Sequence, residues 1–379
     1  MQDRFDIRSE GEGKIDIVVG GQYGDEGKGE IVFWLLQKRR KYDLSVRVGG
    51  SNAEHRFHAK PADSTAHTVR VLPVAVVDPE CRLLLGAGHL FSVEQLQAEI
   101  KEFAQMFLGG EKSLLSRLLI DKNAGIVTEQ HQKQSKEADR SKRGGTTGRG
   151  VGKAATHKVL RDGTFITAGM CKAIKSRYQM GSGASAIREI LDKKKDILLE
   201  GSQGALLSLN HGYYPYCCAK DVTPTGILAE AGADVFSVRD IYAIYRSFPM
   251  RVPGKSGPTG GRELSWKEME DHLEHSLSEE VKRQTLPDGT KGNLERIFEW
   301  SWDDFRKSLI LCTPTKIILT FADWHRLQNY KQRSFEDLHR DTKILVKEME
   351  TEATRILGRH IPVVLIRTGP LLEDFVERE

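Results

Sequence analysis

The residues best suited to do chemistry lie in one glycine-rich turn near the start of the chain. The stretch GGQYGDEGKGE at 20–30 follows the apolar run at 15–19, and residues 31–37 have a helical pattern. A strand, a glycine turn and a helix N-terminus together bind phosphate, because backbone N–H groups converge on an anion. Lys28 adds a mobile positive charge. The turn therefore predicts a site for a phosphorylated ligand.

This turn differs from the common nucleotide-binding loop G-x-x-x-x-G-K-[ST] in the residues that follow the lysine. Glu30 stands two residues after Lys28, and no Ser or Thr follows to bind magnesium. Asp25 and Glu26 are the carboxylates of the turn, and a carboxylate beside a phosphate is tolerated mainly when a divalent cation lies between them. We therefore expect Mg²⁺ here. The alternative is a glycine-rich hairpin that carries these charges without binding a ligand.

Three further glycine-rich segments could complete a site. The segment RVGGSNAEH at 47–55 follows a predicted strand and supplies an amide, a carboxylate and an imidazole. The segment GGTTGRGVGK at 144–153 offers hydroxyls and cations for a second phosphate, or else is a flexible basic linker. In EGSQGALL at 200–207, Gln203 could recognise a base edge with one donor and one acceptor. A lone histidine more often has a structural role, so a functional His55 depends on these neighbours.

Length and composition limit the class of protein. The 379 residues can bury a large core, which favours one large α/β domain with insertions. The net charge of +4 suits small phosphorylated ligands but is too weak to indicate nucleic acid, and the basic run at 133–143 lacks interleaved aromatic residues. Five cysteines without a C-x-x-C pair predict neither a disulfide framework nor a zinc site. Without a signal-peptide pattern or an apolar stretch of about 20 residues, we expect a cytoplasmic protein with no membrane partner.

The candidate residues need a scaffold, and the chain predicts one by alternating apolar runs with amphipathic stretches. The predicted strands are 15–19, 45–48, 69–77, 196–199, 241–245, 316–319 and 362–366. This pattern predicts an α/β fold, with a large mixed, mainly parallel central sheet flanked by helices. The spacing of apolar residues between 335 and 357 predicts a helix that packs on the sheet. Two polar, glycine-rich stretches, 131–153 and 253–262, are predicted to be mobile loops that close over ligands.

Five motifs together resemble the adenylosuccinate synthetase family in order and approximate spacing. They are GQYGDEGKG, GGSNAEH, GTTGRGVG, EGSQGALL followed by HGYYPY, and TGP at 368–370. The resemblance extends from Val18 to Pro370. It implies a P-loop-like ligase fold in a single domain over 1–379, with 1–13 as a flexible extension, and a homodimer. The implied reaction joins L-aspartate to the 6-oxo position of a purine nucleoside monophosphate at the expense of a nucleoside triphosphate.

The resemblance also implies the role of each site residue. Asp25 takes the N1 proton of the purine and binds Mg²⁺ together with the backbone carbonyl of Glu54, while His55 stabilises the moving γ-phosphoryl group. This chemistry is consistent, because the N1 anion makes O6 nucleophilic and a phosphorylated O6 is a good leaving group. The remaining implied contacts are Lys28, Gly24, Glu26, Gly27 and Gly29 for the phosphate; Asn52, Thr147, Arg161 from the neighbouring subunit, Gln203 and Cys218 for the acceptor; and Thr290 and Arg296 for aspartate.

The chain departs from the common synthetases at the site for the donor base. Their Lys-x-Asp set recognises guanine, whereas Phe321 replaces the lysine here and Asp323 is kept; Thr368, Gly369 and Pro370 complete the implied donor-base site. Asn293 stands where an arginine that reaches the acceptor's ribose is expected, which suits a deoxynucleotide.

The segment at 248–258, the sequence FEWS at 298–301 and the short chain are more similar to the bacteriophage branch of the family. Members of that branch attach aspartate to dGMP on the way to diaminopurine nucleotides. The resemblance therefore implies dGMP as acceptor, ATP or dATP as donor and N6-succino-2-amino-2′-deoxyadenylate as product, in the host cytoplasm if the chain is phage-encoded. An ordinary synthetase that uses IMP and GTP is the alternative. A non-catalytic nucleotide-binding protein is the alternative of another class.

Overall fold

A ten-stranded sheet is the frame of the protein in the computed structural model, which describes residues 13–58, 66–106, 109–142, 148–285 and 291–378. Its strands β1 to β10 are Ile15–Gly20, Leu44–Arg47, Arg82–Leu85, Leu118–Asp121, Gln179–Gly181, Ile197–Gly204, Val238–Arg246, Lys316–Thr320, Val363–Arg367 and Phe375–Glu377. They lie in the order β10-β9-β8-β7-β1-β6-β2-β3-β4-β5. Every neighbouring pair is parallel except β9 and β10. The predicted mixed, mainly parallel sheet is confirmed.

Helices cover both faces of this sheet. In chain order, α1 to α13 are Lys28–Trp34, Val93–Ala104, Gly110–Arg117, Glu129–Lys142, Val151–Leu160, Lys172–Lys175, Gly183–Asp192, Pro224–Ala231, Trp266–Leu273, Glu279–Lys282, Trp302–Cys312, Ala322–His325 and Arg340–Leu357. A π-helical turn, Leu35–Arg39, continues α1, and 3-10 turns lie at Val74–Val77, Ala205–Leu207, Val235–Ser237 and Leu327–Asn329. Among the described residues, none of these helices is long and apolar enough to cross a bilayer.

Within the described ranges, four small sheets surround the central one. They pair His55–Phe57 with His67–Val69, Leu90–Phe91 with Gly125–Ile126, Arg296–Phe298 with both Met250–Arg251 and Glu263–Leu264, and Arg283–Thr285 with Lys291–Leu294. The pair that contains His55 packs on α1, and the three-stranded sheet forms one wall beside β7 and β8.

The core is divided between the two faces because side chains of successive strand residues point to opposite sides. In β1, Val18 packs into one hydrophobic cluster with α1 and α2, whereas Ile17 and Val19 pack into the other with α7, α11 and α13. The strand is buried along its whole length, as expected for a parallel strand covered on both faces. The predicted stripe on the last helix is confirmed, since Leu345, Met349 and Ala353 lie in the second cluster.

The strand order creates a crevice between β1 and β6. The chain leaves β1 through α1 to reach β2 on one side, and it leaves β6 through α8 to reach β7 on the other side. Ligands of open α/β sheets bind at such a point, outside the carboxyl ends of the strands. The turns that follow β1 and β6 are therefore brought together at this end of the sheet.

Two sequence predictions about secondary structure are wrong. Residues 69–77 are not one strand, because Pro73 offers no N–H to a ladder and precedes the 3-10 turn Val74–Val77. Most of 131–153 is not a loop: α4 extends to Lys142, since its Gln, Glu and Lys residues favour helix without an apolar stripe. The stretch 253–262 does lack helix and strand. The predicted extension lies almost entirely at 1–12, outside the described residues, and the single-domain prediction stays a prediction.

Candidate functional site

The turn between β1 and α1 has the conformation that a phosphate loop needs. Gly24, Asp25 and Gly27 all have positive φ, at 94°, 57° and 83°, and Gly27 caps the N-terminus of α1. Only glycine, or occasionally Asn and Asp, adopts this region readily, so the residue types follow from the turn. Gly29 is required for a different reason, because a Cβ there would lie 2.4 Å from the carbonyl oxygen of Arg56.

Glu26 fixes the turn from within. Its carboxylate is fully buried, and Oε1 accepts the backbone N–H groups of Gln22 at 3.1 Å and Gly24 at 2.9 Å. Its Oε2 lies 2.6 Å from Nζ of Lys28, which is itself 5% exposed. Glu26 therefore holds both the shape of the turn and the position of its lysine, rather than presenting its carboxylate to a ligand.

Asp25 is the carboxylate of this turn that faces the cleft. Its side chain is open to solvent, and its backbone carbonyl accepts a hydrogen bond of 3.1 Å from Nη1 of Arg246. Although the side chain is exposed, the walls of the cleft reduce the hydration of its carboxyl and raise its pKa; Glu26 and Glu54 also raise the pKa, whereas Lys28 and Arg246 lower it. A carboxyl with a raised pKa in a cleft is suited to accept a proton.

His55 lies close to this turn but faces inward. Its ring is 1% exposed, is contacted by Arg47 and lies 3.3 Å from Oε2 of Glu200. Burial lowers the pKa of His55 well below its ordinary value, and the charges of Arg47 and Lys28 lower it further. The imidazole is therefore neutral at neutral pH, and the Arg47–Glu200 ion pair of 3.2 Å determines its orientation.

The end of β6 and the turn that follows it bring candidate acceptor contacts to the same crevice. Gln203 has φ 62°, and its amide oxygen lies 3.7 Å from the position that a Cβ of Gly24 would occupy. Cys218 is tied to this turn by a hydrogen bond from its N–H to the carbonyl of Leu207 at 2.7 Å. Burial raises the pKa of the Cys218 thiol to about 12, so it stays protonated.

The other predicted acceptor residues are dispersed. Asn52 lies in the turn after β2, with its amide oxygen 2.7 Å from the position of a Cβ on Gly50. Arg161 ends α5 in an exposed position with φ 54°, and its α-helix also exposes Val159 and Leu160. Thr147 and Thr290 lie outside the described residues.

Three strands end at the predicted donor-base site. Arg246 ends β7, Phe321 follows β8, and Arg367 ends β9. The guanidinium of Arg246 lies 3.7 Å from the ring centroid of Phe321, and that of Arg367 lies 5.9 Å from it. Asp323 is half-buried nearby; burial raises the pKa of its carboxyl, while the charges of Arg367 and Arg246 lower it.

Arg246, Phe321, Asp323 and Arg367 form what we call the donor corner. The segment TGP at 368–370 closes the donor corner by contacts within the protein. Arg367 donates to the carbonyl of Pro370 at 2.9 Å, and the hydroxyl of Thr368 donates to the carbonyl of Gln332 at 2.7 Å. A Cβ on Gly369 would lie 2.6 Å from a carboxylate oxygen of Asp374. The segment therefore lies against the donor corner, as its position in the predicted site requires.

Arg296, predicted to bind aspartate, is engaged inside the protein. It pairs with Glu263 at 2.5 Å and donates to the carbonyl of Gly257 at 2.7 Å and the hydroxyl of Ser256 at 3.0 Å. In this arrangement it holds the 253–262 loop. A role in binding aspartate stays a prediction, and it requires that at least one of these bonds be exchanged for the ligand.

Sequence reasoning missed Arg246, Arg47 and Arg367 as site residues. All three are the last residues of parallel strands that converge on the crevice. That position was the available signal, since an arginine at the carboxyl end of a buried strand faces the ligand edge of the sheet.

Comparison with known proteins identifies the family. A family model described as adenylosuccinate synthetase matches residues 17–179 and 170–285 of the chain. The chain belongs to the adenylosuccinate synthetase family. It is therefore a ligase that forms a C–N bond with the use of a nucleoside triphosphate.

Two archaeal relatives are similar to this chain over nearly their whole length. The adenylosuccinate synthetase of Methanococcus maripaludis strain S2 is 30% identical over 363 residues, which cover 95% of this chain and 98% of the relative. That of Thermococcus onnurineus is 31% identical over 370 residues, covering 96% and 98%.

Two solved structures of adenylosuccinate synthetase type share the fold. The succinoaminodeoxyadenylate synthetase of cyanophage S-2L, bound to dGMP and to dATP as energy donor, has a TM-score of 0.74 at 22% identity, covering 97% of this chain and 95% of that one. The fully ligated adenylosuccinate synthetase of Plasmodium falciparum has a TM-score of 0.77 at 20% identity, covering 97% and 100%. They confirm the α/β fold of the family.

Proposed function

We propose that this synthetase joins L-aspartate to C6 of dGMP, with ATP or dATP as donor, and produces N6-succino-2-amino-2′-deoxyadenylate. The observation that carries the proposal is Phe321 at the end of β8. Its apolar ring stands where the common synthetases have a lysine, so this position has no ammonium group to donate to guanine, and the ring stacks on the guanidinium of Arg246. A π-face accepts any purine, whereas hydrogen-bond donors and acceptors discriminate between them.

The chemistry of the acceptor depends on the phosphate loop. Asp25 removes the proton from N1, so that O6 can attack the γ-phosphorus of the donor, and the amine of aspartate then displaces phosphate from C6. Lys28 and the N–H groups of the turn hold the transferring phosphoryl group. His55, neutral and oriented by Arg47 and Glu200, is the donor of a hydrogen bond to that group, which requires its ring to move from the inward position that it has beside Glu200.

The residues of the turn fit a bound Mg²⁺. Reduced hydration raises the pKa of the Asp25 carboxyl most, and the carboxylates of Glu26 and Glu54 raise it further; a divalent cation would relieve this repulsion between carboxylates. The Glu54 carboxylate itself pairs with Arg70 and, at 3.7 Å, with Arg56, which leaves its backbone carbonyl as the ligand. Among the described residues no three His, Cys, Asp or Glu side chains form a metal cage. Mg²⁺ typically binds through one or two carboxylates and the oxygens of phosphates, and it would supply charge neutralisation for phosphoryl transfer.

The acceptor side of the proposal is supported by two exposed positions. Asn293, in the strand Lys291–Leu294, presents a short amide where an arginine would reach a ribose hydroxyl. Arg161 lies beside Val159 and Leu160, which are 75% and 59% exposed. Apolar side chains this exposed are suited to an interface between two copies of the chain, in which Arg161 reaches the acceptor phosphate of the partner.

The second candidate function is that of an ordinary adenylosuccinate synthetase, which condenses IMP with aspartate and uses GTP. The observation that favours it is the 30–31% identity to archaeal adenylosuccinate synthetases over nearly the full chain. Asp25 does not discriminate between the two functions, because both require N1 to lose its proton.

Turnover with defined nucleotide pairs tests the proposal. Purified protein is incubated with L-aspartate and Mg²⁺ and each combination of dGMP or IMP with ATP, dATP or GTP, and the succinylated product and released phosphate are measured. We expect the highest kcat/KM with dGMP and ATP or dATP. Turnover with IMP and GTP alone would refute the proposal in favour of the second candidate. Nucleotide binding without phosphate release in any combination would show a binding protein on the same fold.

A further inference from the structure

Arg246 is an almost fully buried arginine for which the sequence analysis assigns no role. It is 4% exposed, and both its backbone N–H and its backbone carbonyl are hydrogen-bonded to the phosphate loop at 20–30. The side-chain oxygen of Gln22 accepts the N–H of Arg246 at 2.8 Å, and the side-chain amide of Gln22 donates to the Arg246 carbonyl at 3.1 Å. An isolated buried charge is costly, so its neighbours must explain its presence.

The guanidinium of Arg246 connects the donor corner with the catalytic turn. It lies 3.7 Å from the ring centroid of Phe321 and 4.6 Å from that of Trp324. On its other side, Nη1 donates to the backbone carbonyl of Asp25 at 3.1 Å. Its Nε is buried without a hydrogen-bond partner. The aromatic contacts and the hydrogen bond need different parts of one planar group, which a lysine could not supply.

The charges around Arg246 come from three separate elements. The carboxylates of Asp25, Glu295 and Asp323 raise the pKa of Arg246, but burial has the larger effect and lowers it to about 10. The guanidinium is therefore still charged at neutral pH. Glu295 also lies near Asp25, since the charge of Asp25 is the main cause, after burial, that raises the pKa of Glu295. The charge of Arg246 thus interacts with carboxylates of the phosphate loop, of the residue between the strands Lys291–Leu294 and Arg296–Phe298, and of α12.

Asp25 needs such support because its backbone is in a conformation that non-glycine residues rarely adopt. Its φ is 57°, and residues in the left-handed region persist when their surroundings hold them there. The bond from Arg246 to the Asp25 carbonyl is a direct restraint on this peptide. If the guanidinium moved with Phe321, the Asp25 carboxylate would move as well.

We propose that Arg246 is a positioning residue that fixes the Asp25 peptide and couples it to Phe321, so that a donor base bound at Phe321 orients the carboxylate that deprotonates the acceptor. The inference rests on the proposed roles of Asp25 and Phe321, and it extends them by coupling the donor-base site at Phe321 to the carboxylate of Asp25. It predicts that the donor base influences the chemical step as well as donor affinity.

The first test compares Arg246→Lys and Arg246→Met with the same changes at Arg378. Arg378 is a matched control, because its guanidinium lies 4.4 Å from the ring centroid of Phe335 and donates to the carbonyl of Val363 at 2.9 Å, on β9 and away from the crevice. For the nucleotide pair that the unaltered protein turns over best, kcat and each KM are measured, and folding is checked by circular dichroism and thermal unfolding. We expect kcat to fall roughly 30-fold in folded Arg246→Lys, the loss of one hydrogen bond made by a charged group. The Arg378 variants should stay within about threefold, because the contacts of Arg378 lie away from the crevice.

The second test is Phe321→Leu, alone and combined with Arg246→Met. A residue that only stacks on the donor base would raise the donor KM and leave kcat at saturating donor unchanged. The coupling predicts that Phe321→Leu also lowers kcat at saturating donor, and that this effect disappears when Arg246 is already Met. If the double variant does not fold, the kcat of Phe321→Leu alone still decides the question.

An unchanged kcat in Phe321→Leu, or Arg246→Lys kinetics like those of Arg378→Lys, would overturn the inference. These results are distinct from failure of the proposed nucleotide pair, because the kinetics are measured on whichever pair the protein uses. Turnover of IMP with GTP only would refute the proposed function, and the same variants would still test the coupling on that pair.

Discussion

The phosphate loop and the donor corner lie side by side, but each is stabilised by a different kind of interaction. In the loop, Glu26 accepts two backbone N–H groups and pairs with Lys28, all within one buried turn. In the donor corner, Phe321 stacks on the guanidinium of Arg246 and makes an edge-to-face contact with Trp324. Hydrogen bonds of this kind fix atoms to within a few tenths of an ångström, whereas ring stacking tolerates sliding and rotation.

The phosphate loop fixes the geometry of its ligand, whereas the donor corner accepts more than one base. Phosphoryl transfer needs fixed geometry, and the loop provides it before any ligand binds. The donor corner offers a ring for stacking and the carboxylate of Asp323 for hydrogen bonds, so it discriminates little between donor bases. Strict chemistry with a permissive donor is the combination that the proposed use of ATP or dATP requires.

Removal of the Asp25 charge should have the largest effect on catalysis. We expect Asp25→Asn to lower kcat about 10³-fold, since general-base catalysis contributes roughly 10²–10⁴-fold. Asparagine is the appropriate change because it tolerates the left-handed backbone of this position, whereas alanine would add strain. Steady-state kinetics measure the loss, and Asp162→Asn at an exposed turn serves as the control. Activity within a few-fold of the parent would show that another group takes the proton.

Neutralisation of Glu26 should damage the loop rather than the chemistry alone. Glu26→Gln leaves the ammonium of Lys28 buried without its partner, so we expect a loss of about 3–5 kcal/mol in the free energy of unfolding. Urea denaturation measures the change. The control is Glu189→Gln, which breaks the exposed pair with Lys193 and should cost about 0.5 kcal/mol or less. Equal losses in the two variants would mean that Glu26 does not hold the turn.

Restoring a lysine at Phe321 should make the donor corner more selective. A lysine can donate to the 6-oxo group of guanine, so Phe321→Lys should raise the GTP-to-ATP ratio of kcat/KM about tenfold, the value of one hydrogen bond. The ratio is the relevant quantity, because loss of the stack on Arg246 lowers both activities together. A ratio that does not change would indicate that the donor base binds away from Phe321.

An arginine at Asn293 should have the smallest effect and alter the choice of sugar. Asn293→Arg would reach toward the acceptor's ribose, and we expect the dGMP-to-GMP ratio of kcat/KM to fall roughly fivefold. The measurement uses competition between the two acceptors at saturating donor. Because Asn293 is exposed, stability should hardly change. An unaltered ratio would place the ribose elsewhere.

Local patterns in the sequence were sufficient to predict the main elements. The β-branched run at 15–19 followed by glycines gave β1 and the turn, and the apolar stripe gave α13. The start of α13 was placed too early, because the side chain of His339 caps the helix by accepting the N–H of Asp341, five residues into the predicted segment.

Interactions between distant segments could not be predicted in this way. Arg47 and Glu200 are 153 residues apart, and nothing near either residue indicates that together they surround His55. Arg246 and Asp25 are 221 residues apart. The resemblance implies that Glu26 belongs to the phosphate contacts, and only the structure shows that its side chain turns inward to the N–H groups of Gln22 and Gly24. Burial and direction of polar side chains depend on the strand order, which local patterns do not determine.

The most direct test of the account is a crystal structure with dGMP, Mg²⁺ and a non-hydrolysable ATP analogue. The account predicts the Asp25 carboxylate within hydrogen-bond distance of N1 of the base, a cation between the loop and the phosphates, and the donor adenine against Phe321. An Asp25 side chain that points away from the base, with no cation beside it, would contradict the central claim.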